Sequence, residues 1–145
     1  MSVFISIDPG KNKCGLLLAD IKSGNVIEAG ISSLDRFSDV VCSWNEKYNV
    51  SKIVIGDGTN CKYMGNKLKQ KNIFNLNYVN ESGSTLRARF RYWEIWPPNY
   101  FIRWLPREIL LPPDNLDAVV ALILLEDFLK FKLIWPEKVD IKIWL

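Results

Sequence analysis

Residues 5–20 read ISIDPGKNKCGLLLAD: an apolar run that ends in a carboxylate, a Pro-Gly turn, and a second apolar run. This pattern predicts two strands joined by a tight turn, with Asp8 held at the rim of a sheet. A carboxylate fixed there can hold a hard cation, and Lys11 and Lys13 in the turn would then attract phosphate. Asp before Pro-Gly is also ordinary turn chemistry, so a turn role for Asp8 is the alternative.

The composition predicts a folded protein and excludes several kinds of active site. The chain has 145 residues, of which 48% are hydrophobic, and this length suits one domain over residues 1–145. The net charge is only +3, so any basic surface must come from local clustering. Because there is no histidine, Ser-His-Asp, Cys-His and HExxH sites are excluded. An enzyme built from this chain would use carboxylates, lysines or a metal, and carboxylates favour Mg²⁺ or Mn²⁺ over zinc.

The cysteines and the apolar runs predict a cytoplasmic protein. Cys14, Cys42 and Cys61 are widely spaced and read as reduced thiols. No signal-peptide pattern is visible at the N-terminus. The longest apolar run, Ala118–Leu125, is shorter than the about 20 residues that a bilayer crossing needs, so we expect no membrane association.

The hydrophobic periodicity predicts the element order β-β-β-α-β-α-β-α-α. A strand meander followed by α/β units forms a mixed sheet, with the fourth and fifth strands parallel to the first. The predicted strands are Val3–Asp8, Gly15–Asp20, Val26–Ser32, Lys52–Asp57 and Ile73–Val79, and the predicted helices cover residues 34–48, 62–71, 84–96 and 114–133. Ser33 or Asp35 is the expected cap of the first helix. The tail, Val139–Leu145, alternates apolar and polar residues, as an added edge strand does.

Carboxylates stand at three predicted strand ends and at one helix start. Asp8, Asp57 and Glu81 end the first, fourth and fifth strands, and ligands in such sheets bind at the carboxyl ends of the strands. Asp114 and Asp117 begin the most apolar helix. Capping is the alternative for Glu81 and for this last pair. Converging carboxylates repel one another unless a cation holds them, so together they predict a metal site.

Three short motifs resemble the RuvC/YqgF group of RNase H-like nucleases. Residues 7–10 (IDPG) with Gly15 resemble the first hairpin of the group, residues 79–85 (VNESGST) the YqgF motif at strand five, and residues 116–125 (LDAVVALILL) the last helix. The motifs occur in matching order over most of the chain, from Val3 to about Leu129. Each motif is short, so only their ordered combination is specific.

The resemblance implies an α/β, RNase H-like fold with a five-stranded mixed sheet of order 3-2-1-4-5 flanked by helices. It also implies a divalent-metal nuclease site that uses Mg²⁺ or Mn²⁺, with Asp8, Glu81 and Asp117 as catalytic residues and metal ligands. Asp114 corresponds to an extra acid that RuvC places three residues earlier than the last one. Asp57 ends the fourth strand, where RuvC-type members keep a Glu. Both are therefore further candidate metal ligands.

Basic and aromatic residues predict a nucleic-acid interface. Arg87, Arg89 and Arg91 alternate with apolar or small residues, and the aromatic segment Trp93–Pro113 follows. Basic residues contact phosphates, and aromatic rings stack on unpaired bases. The same residue types are typical of a core or of a dimer interface, so a homodimer is the alternative. The lysines of residues 62–71 are expected on a solvated helix face.

The leading hypothesis is a metal-dependent endonuclease that acts on structured nucleic acid. The resemblance suggests branched DNA of the Holliday-junction type or ribosomal RNA precursor. The motif Gly56-Asp57-Gly58 departs from the Gly-x-Pro of YqgF members, and Asn80 replaces an Asp, so the preferred substrate stays open. A non-catalytic nucleic-acid-binding module is the alternative. Nucleotide binding is disfavoured, because actin-like ATPases close two such domains around ATP and no GxxxxGK[ST] loop is present.

Overall fold

The computed structural model describes residues 2–99, 104–106 and 116–145. Its strands are β1 (Val3–Asp8), β2 (Lys13–Asp20), β3 (Asn25–Ser33), β4 (Lys52–Gly56), β5 (Leu76–Val79) and β6 (Ile141–Trp144). Its helices are α1 (Phe37–Tyr48), α2 (Cys61–Gln70), α3 (Ser84–Ile95) and α4 (Leu116–Leu129). None of the helices in this part of the chain combines the length and apolar character that a bilayer crossing requires.

The strands form one mixed sheet of order β5-β4-β1-β2-β3-β6. β1, β2 and β3 are an antiparallel meander, while β4 pairs parallel to β1 and β5 pairs parallel to β4. The predicted order of the first five strands is therefore confirmed, and the fold is RNase H-like.

The edge strand expected in the tail is confirmed as β6 beside β3, so the sheet of the described residues has six strands and the count of five implied by the resemblance is wrong. β6 is retained by side-chain contacts as well as by the ladder. The Trp144 ring meets Trp44 of α1 edge to face at 5.6 Å between centroids. The Lys142 ammonium lies 2.8 Å from the Glu28 carboxylate of β3. A short alternating segment becomes a strand where an open edge and such partners are available.

The two faces of the sheet carry different helices, which decides where Asp8 points. Side chains alternate along β1, so Ile5 and Ile7 pack toward α1 and α2, and Phe4 packs on the opposite face with α4. Asp8 lies four residues after Phe4, on the same face of β1, and therefore faces α4. α4 is buried nearly all round, because the sheet covers one side and α3 packs on the other.

The helix starts differ in detail from the sequence prediction. α1 begins at Phe37 and has Arg36 at its N-cap position, without a side-chain capping bond, so the predicted cap at Ser33 or Asp35 is wrong. α2 and α3 begin after Asn60 and Gly83, both with left-handed backbones. Asp114 lies outside the described residues, as does part of the aromatic segment Trp93–Pro113.

Candidate functional site

The candidate site lies at one edge of the sheet, where β1, β4 and β5 all end. Asp8 is the last residue of β1, Asp57 directly follows β4, and Glu81 comes two residues after β5. Asp117 is the second residue of α4, which packs against β1 and β2. The fold thus brings Glu81 and Asp117 each within electrostatic range of Asp8, and Asp57 within range of Glu81.

Asp8 is the most buried of these acids, with 9% of its surface exposed. Burial, together with the negative charges of Asp117 and Glu81, raises the pKa of its carboxyl to about 8. The pKa of the neighbouring Cys14 thiol is affected by burial and by two of the same acids. Burial first, and then Asp8 and Asp117, raise the pKa of its thiol to about 12. This corner of the molecule therefore favours a positive charge, and no lysine or arginine of the described residues forms an ion pair with Asp8.

Gly15 allows the first turn of α4 to approach the sheet. Gly15 is the register partner of Asp8 across the β1–β2 ladder. A Cβ atom at Gly15 would collide with the backbone carbonyl of Asp117. Because Gly15 has no side chain, the backbone of Asp117 can lie against β2, and this places Asp117 next to Asp8. Glycine inside a strand is a general sign of close backbone approach, and this signal at Gly15 was available in the sequence.

Glu81 occupies a space left by two glycines. Its carboxylate fills the positions that a Cβ would take at Gly56 and at Gly58, on either side of Asp57. Its backbone is fixed as well, because its N–H donates to Asp57 Oδ1 at 3.2 Å and its carbonyl accepts from the Ser84 hydroxyl at 2.6 Å. The motif Gly56-Asp57-Gly58, which departs from the family pattern, therefore has a local purpose: it makes room for the carboxylate of Glu81.

One oxygen of Glu81 has no hydrogen-bond partner among the described residues. Oε2 is buried and accepts no hydrogen bond from any group in the described part of the chain. Burial, and then the charge of Asp57, raise the pKa of this carboxyl above its ordinary value. Buried acceptors are nearly always satisfied, so this oxygen is a candidate ligand for a cation.

The residue that precedes α2, Asn60, holds the turn between β1 and β2 in place. The side-chain amide of Asn60, whose φ is 66°, donates to the carbonyls of Gly10 at 2.8 Å and Lys11 at 3.1 Å. The turn lysines remain exposed, and the Lys13 ammonium lies 3.8 Å from Asp117 Oδ2. Sequence reasoning missed Asn60, because its partners lie about fifty positions away.

The donor atoms fit a hard divalent cation. Among residues 2–99, 104–106 and 116–145, no three acidic or thiol side chains are already grouped tightly enough to coordinate an ion. The carboxylate oxygens, the orphaned Oε2 and the absence of histidine nevertheless match Mg²⁺ or Mn²⁺.

The arginines of α3 are occupied to different degrees. Arg91 is buried and binds Glu126 of α4 at 2.9 and 3.1 Å, and it also donates to the Leu133 carbonyl at 2.7 Å. Arg87 is exposed and forms two 2.8 Å bonds with Asp127. Arg89 is half-buried and forms no ion pair with a described carboxylate. Arg91 therefore joins α3 to α4. Of the three arginines, Arg87 and Arg89 remain candidate phosphate contacts.

Comparison with known proteins supports the fold. No family model and no curated protein matches the chain. RuvC of T. thermophilus, in complex with a Holliday junction substrate, aligns with 90% of this chain and 96% of its own, at 11% identity and a TM-score of 0.51. This likeness is one of fold.

Two other solved structures align over part of the chain. The large terminase nuclease of the thermophilic phage G20c is 18% identical over 61% of this chain, with a TM-score of 0.44. The Ppx/GppA phosphatase of Aquifex aeolicus is 16% identical over 63% of this chain, with a TM-score of 0.39. The chain spans 49% of the terminase nuclease and 41% of the phosphatase.

Proposed function

We propose that the protein is a divalent-metal-dependent nuclease that hydrolyses phosphodiester bonds in structured nucleic acid. The observation that carries the proposal is the orphaned Oε2 of Glu81. It lies in a corner where the buried carboxyl of Asp8 has its pKa raised to about 8 by burial and by two further acids. A bound cation would satisfy the oxygen and offset the repulsion together.

Asp8, Glu81 and Asp117 are the proposed ligands of the cation, with Asp57 beside Glu81 in support. When bound, a Mg²⁺ or Mn²⁺ ion supplies charge stabilisation to phosphate oxygens. The chain itself supplies the rigid frame. Asp8 is fixed by the end of the β1–β2 ladder, and Glu81 by its hydrogen bonds to Asp57 and Ser84. Asp114 stays a prediction outside the described residues.

Positive charge beside the acids supports a phosphodiester substrate. Lys11, in the turn after Asp8, and Lys13, at the start of β2, are both exposed. Arg87 is exposed on α3, which begins three residues after Glu81. The RuvC structure of like fold contains a Holliday junction, which supports branched DNA as the first substrate to test, with ribosomal RNA precursor as the second.

One contact favours the alternative of a non-catalytic nucleic-acid-binding module. The Lys13 ammonium lies 3.8 Å from Asp117, so a protein cation already offsets part of the acidic charge. A site that has lost its metal would be stabilised in this way. A metal-dependent activity separates the two candidates.

The test is a cleavage assay with branched DNA, duplex DNA and structured RNA, with Mg²⁺, with Mn²⁺ and with chelator. We expect cleavage of at least one substrate with metal, no cleavage with chelator, and none by Asp8→Asn. Asp140→Asn is the matched control, because Asp140 is an exposed aspartate outside the site. Binding of the same substrates without cleavage by either metal would support the non-catalytic alternative instead.

A further inference from the structure

The segment between the two site acids Asp57 and Glu81 has an unusual charge pattern. Residues 58–80 contain four lysines and no acidic residue. Elsewhere in the described chain, some lysines and arginines pair with carboxylates, as Arg87 does with Asp127 and Lys142 with Glu28. Lys62 and Lys69, by contrast, form no ion pair with a described carboxylate. This segment therefore carries a positive charge that no carboxylate of the described residues pairs with.

The positive charge is displayed on the outer face of α2. Met64 and Leu68 are buried against the sheet, whereas Lys62, Asn66 and Lys69 are exposed. The three exposed residues follow one another at spacings of four and three, so they form a stripe along the helix. Lys62 and Lys69 are roughly 10 Å apart along the axis, far enough to contact different phosphates.

Exposed aromatic rings border this stripe. Tyr63 and Tyr78 each leave 47% of their surface exposed. The Lys67 ammonium lies 5.7 Å from the centre of the Tyr63 ring, and the Tyr78 hydroxyl fills the position of a Cβ at Gly65. Both rings are therefore held in place by neighbours while part of each remains open to solvent. Rings that are already ordered lose little entropy when they stack on a ligand.

The stripe begins at the candidate metal site. α2 starts four residues after Asp57, and Asn60 ties its start to the carbonyls of Gly10 and Lys11 in the turn that follows Asp8. A chain that lies along α2 toward its N-terminus therefore arrives at the carboxylates. We name the residues Lys62, Tyr63, Asn66, Lys69 and Tyr78 the α2–β5 surface.

We infer that the α2–β5 surface binds a single-stranded stretch of nucleic acid that leads into the candidate site. The inference deepens the proposed function and rests on its nucleic-acid substrate. Unpaired lysines supply phosphate contacts, and exposed tyrosines supply stacking platforms for unpaired bases. A second copy of the chain fits this face poorly, because a two-fold interface would place the same positive stripe against itself. An acidic peptide would use the lysines and leave the rings without a purpose.

The experiment measures binding of a labelled single-stranded oligonucleotide, and of the same sequence as a blunt duplex, in metal-free buffer at several salt concentrations. The test variants are Lys62→Gln/Lys69→Gln and Tyr63→Leu/Tyr78→Leu. The control is Lys22→Gln/Lys138→Gln, which removes the same charge from exposed lysines outside the α2–β5 surface. Circular dichroism melting of each variant establishes that it is folded.

For the lysine variant we expect weaker single-strand binding, with a salt slope about 1.4 units flatter for two lost phosphate contacts. For the tyrosine variant we expect single-strand affinity to fall at least about fivefold, as for the loss of one base stack, with duplex affinity unchanged. The control should keep affinity and slope. Equal losses in the control, or unchanged binding by both test variants, would overturn the inference.

Three further outcomes separate the inference from its rivals. If the lysine variant changes the oligomeric state in light scattering and leaves affinity intact, the occupant is a second copy. If a poly-glutamate peptide competes as well as the oligonucleotide and the tyrosine variant behaves as wild type, the surface recognises acidic chains. If no substrate is ever cleaved while the expected binding losses appear, the inference stands and the catalytic proposal fails.

Discussion

The hydroxyl of Ser6 donates a 2.6 Å hydrogen bond to the backbone carbonyl of Ala121, and both residues are buried. Ser6 lies two residues before Asp8 on the same face of β1, and Ala121 lies one turn after Asp117 in α4. Two strand residues and one helical turn each cover about 6 Å. The bond therefore sets Asp8 opposite the first turn of α4, where burial and then the charge of Asp117 raise the pKa of its carboxyl.

Such a directional contact matters because α4 is apolar on nearly every side. Hydrophobic burial is non-directional, so it does not by itself fix how far a helix slides along a sheet. The Ser6 bond and the close approach of Gly15 to Asp117 are two contacts that do. A serine in the otherwise apolar strand β1 thus has a positioning role.

We predict that Ser6→Ala lowers the free energy of unfolding by about 1 kcal/mol, the usual net value of one buried hydrogen bond. It should also diminish the rise in melting temperature that Mg²⁺ or Mn²⁺ produces, since Asp8 and Asp117 would be less well aligned. Thermal melts with and without metal measure both effects. Ser32→Ala is the matched control, because Ser32 is buried and its hydroxyl bonds locally to the Ser33 carbonyl. If the metal-induced rise in melting temperature were as large in Ser6→Ala as in wild type, Ser6 would contribute to packing and not to the alignment of the acids.

The raised pKa of Asp8 predicts how the stability of the metal-free protein depends on pH. The folded protein holds the Asp8 proton up to about pH 8, whereas the ordinary value is 3.8. The native state thus binds more protons than the unfolded chain between these values, and its stability declines as pH rises through this window. Asp8→Asn removes the decline, so this variant should be more stable than wild type near pH 8 and similar near pH 4.

Chemical denaturation across this pH range, with chelator present, measures the difference. Added Mg²⁺ or Mn²⁺ should stabilise the wild type near pH 8 by mass action, and Asp8→Asn much less. The same pH profile in Asp8→Asn and wild type would mean that Asp8 titrates normally. A variant that is less stable than wild type at every pH would identify Asp8 as a turn residue.

Gly58→Ala tests the space that holds Glu81. A Cβ there would collide with the Glu81 carboxylate, so this side chain must turn away. We expect a reduced metal-induced rise in melting temperature and slower cleavage. Gly24→Ala is an informative contrast, because Gly24 has a φ of 78° and no atom of the described residues lies within 4 Å of where a Cβ would be. It should cost about 1–2 kcal/mol of stability from backbone strain and leave the metal response unchanged. Equal metal responses in the two variants would contradict the role of Gly58.

The two arginine pairs between α3 and α4 should differ in their effect on stability. Removing Arg91 leaves the buried Glu126 without its ion-pair partner, so Arg91→Ala should lower the free energy of unfolding by about 3–5 kcal/mol. Arg87→Ala breaks an exposed pair and should cost about 0.2–1 kcal/mol. Urea titrations compare them, and Arg91→Ala/Glu126→Ala should recover part of the larger loss. A small cost for Arg91→Ala would return Arg91 to the candidate phosphate contacts.

Much of the fold and the candidate acids could be predicted, because their signals are local. Alternation along β1 and the turn at Pro9-Gly10 predict the first hairpin, and the apolar run of α4 predicts a buried helix. Acids that follow strands are visible in the sequence for the same reason. The length of β5 was predicted less well: it begins at Leu76 rather than Ile73, since its ladder with β4 determines where it starts.

The sequence by itself determined the meander, the parallel strands that follow it, and the placing of Asp8, Asp57 and Glu81 at strand ends, since periodicity and turn chemistry act over a few residues. Only the tertiary structure decided which groups became partners. It paired β6 with β3, joined Arg91 to Glu126, and left Lys62 and Lys69 of α2 without an ion pair to any described carboxylate. Spacing along the chain does not encode such long-range pairs, because they form only when packing brings distant elements into one register.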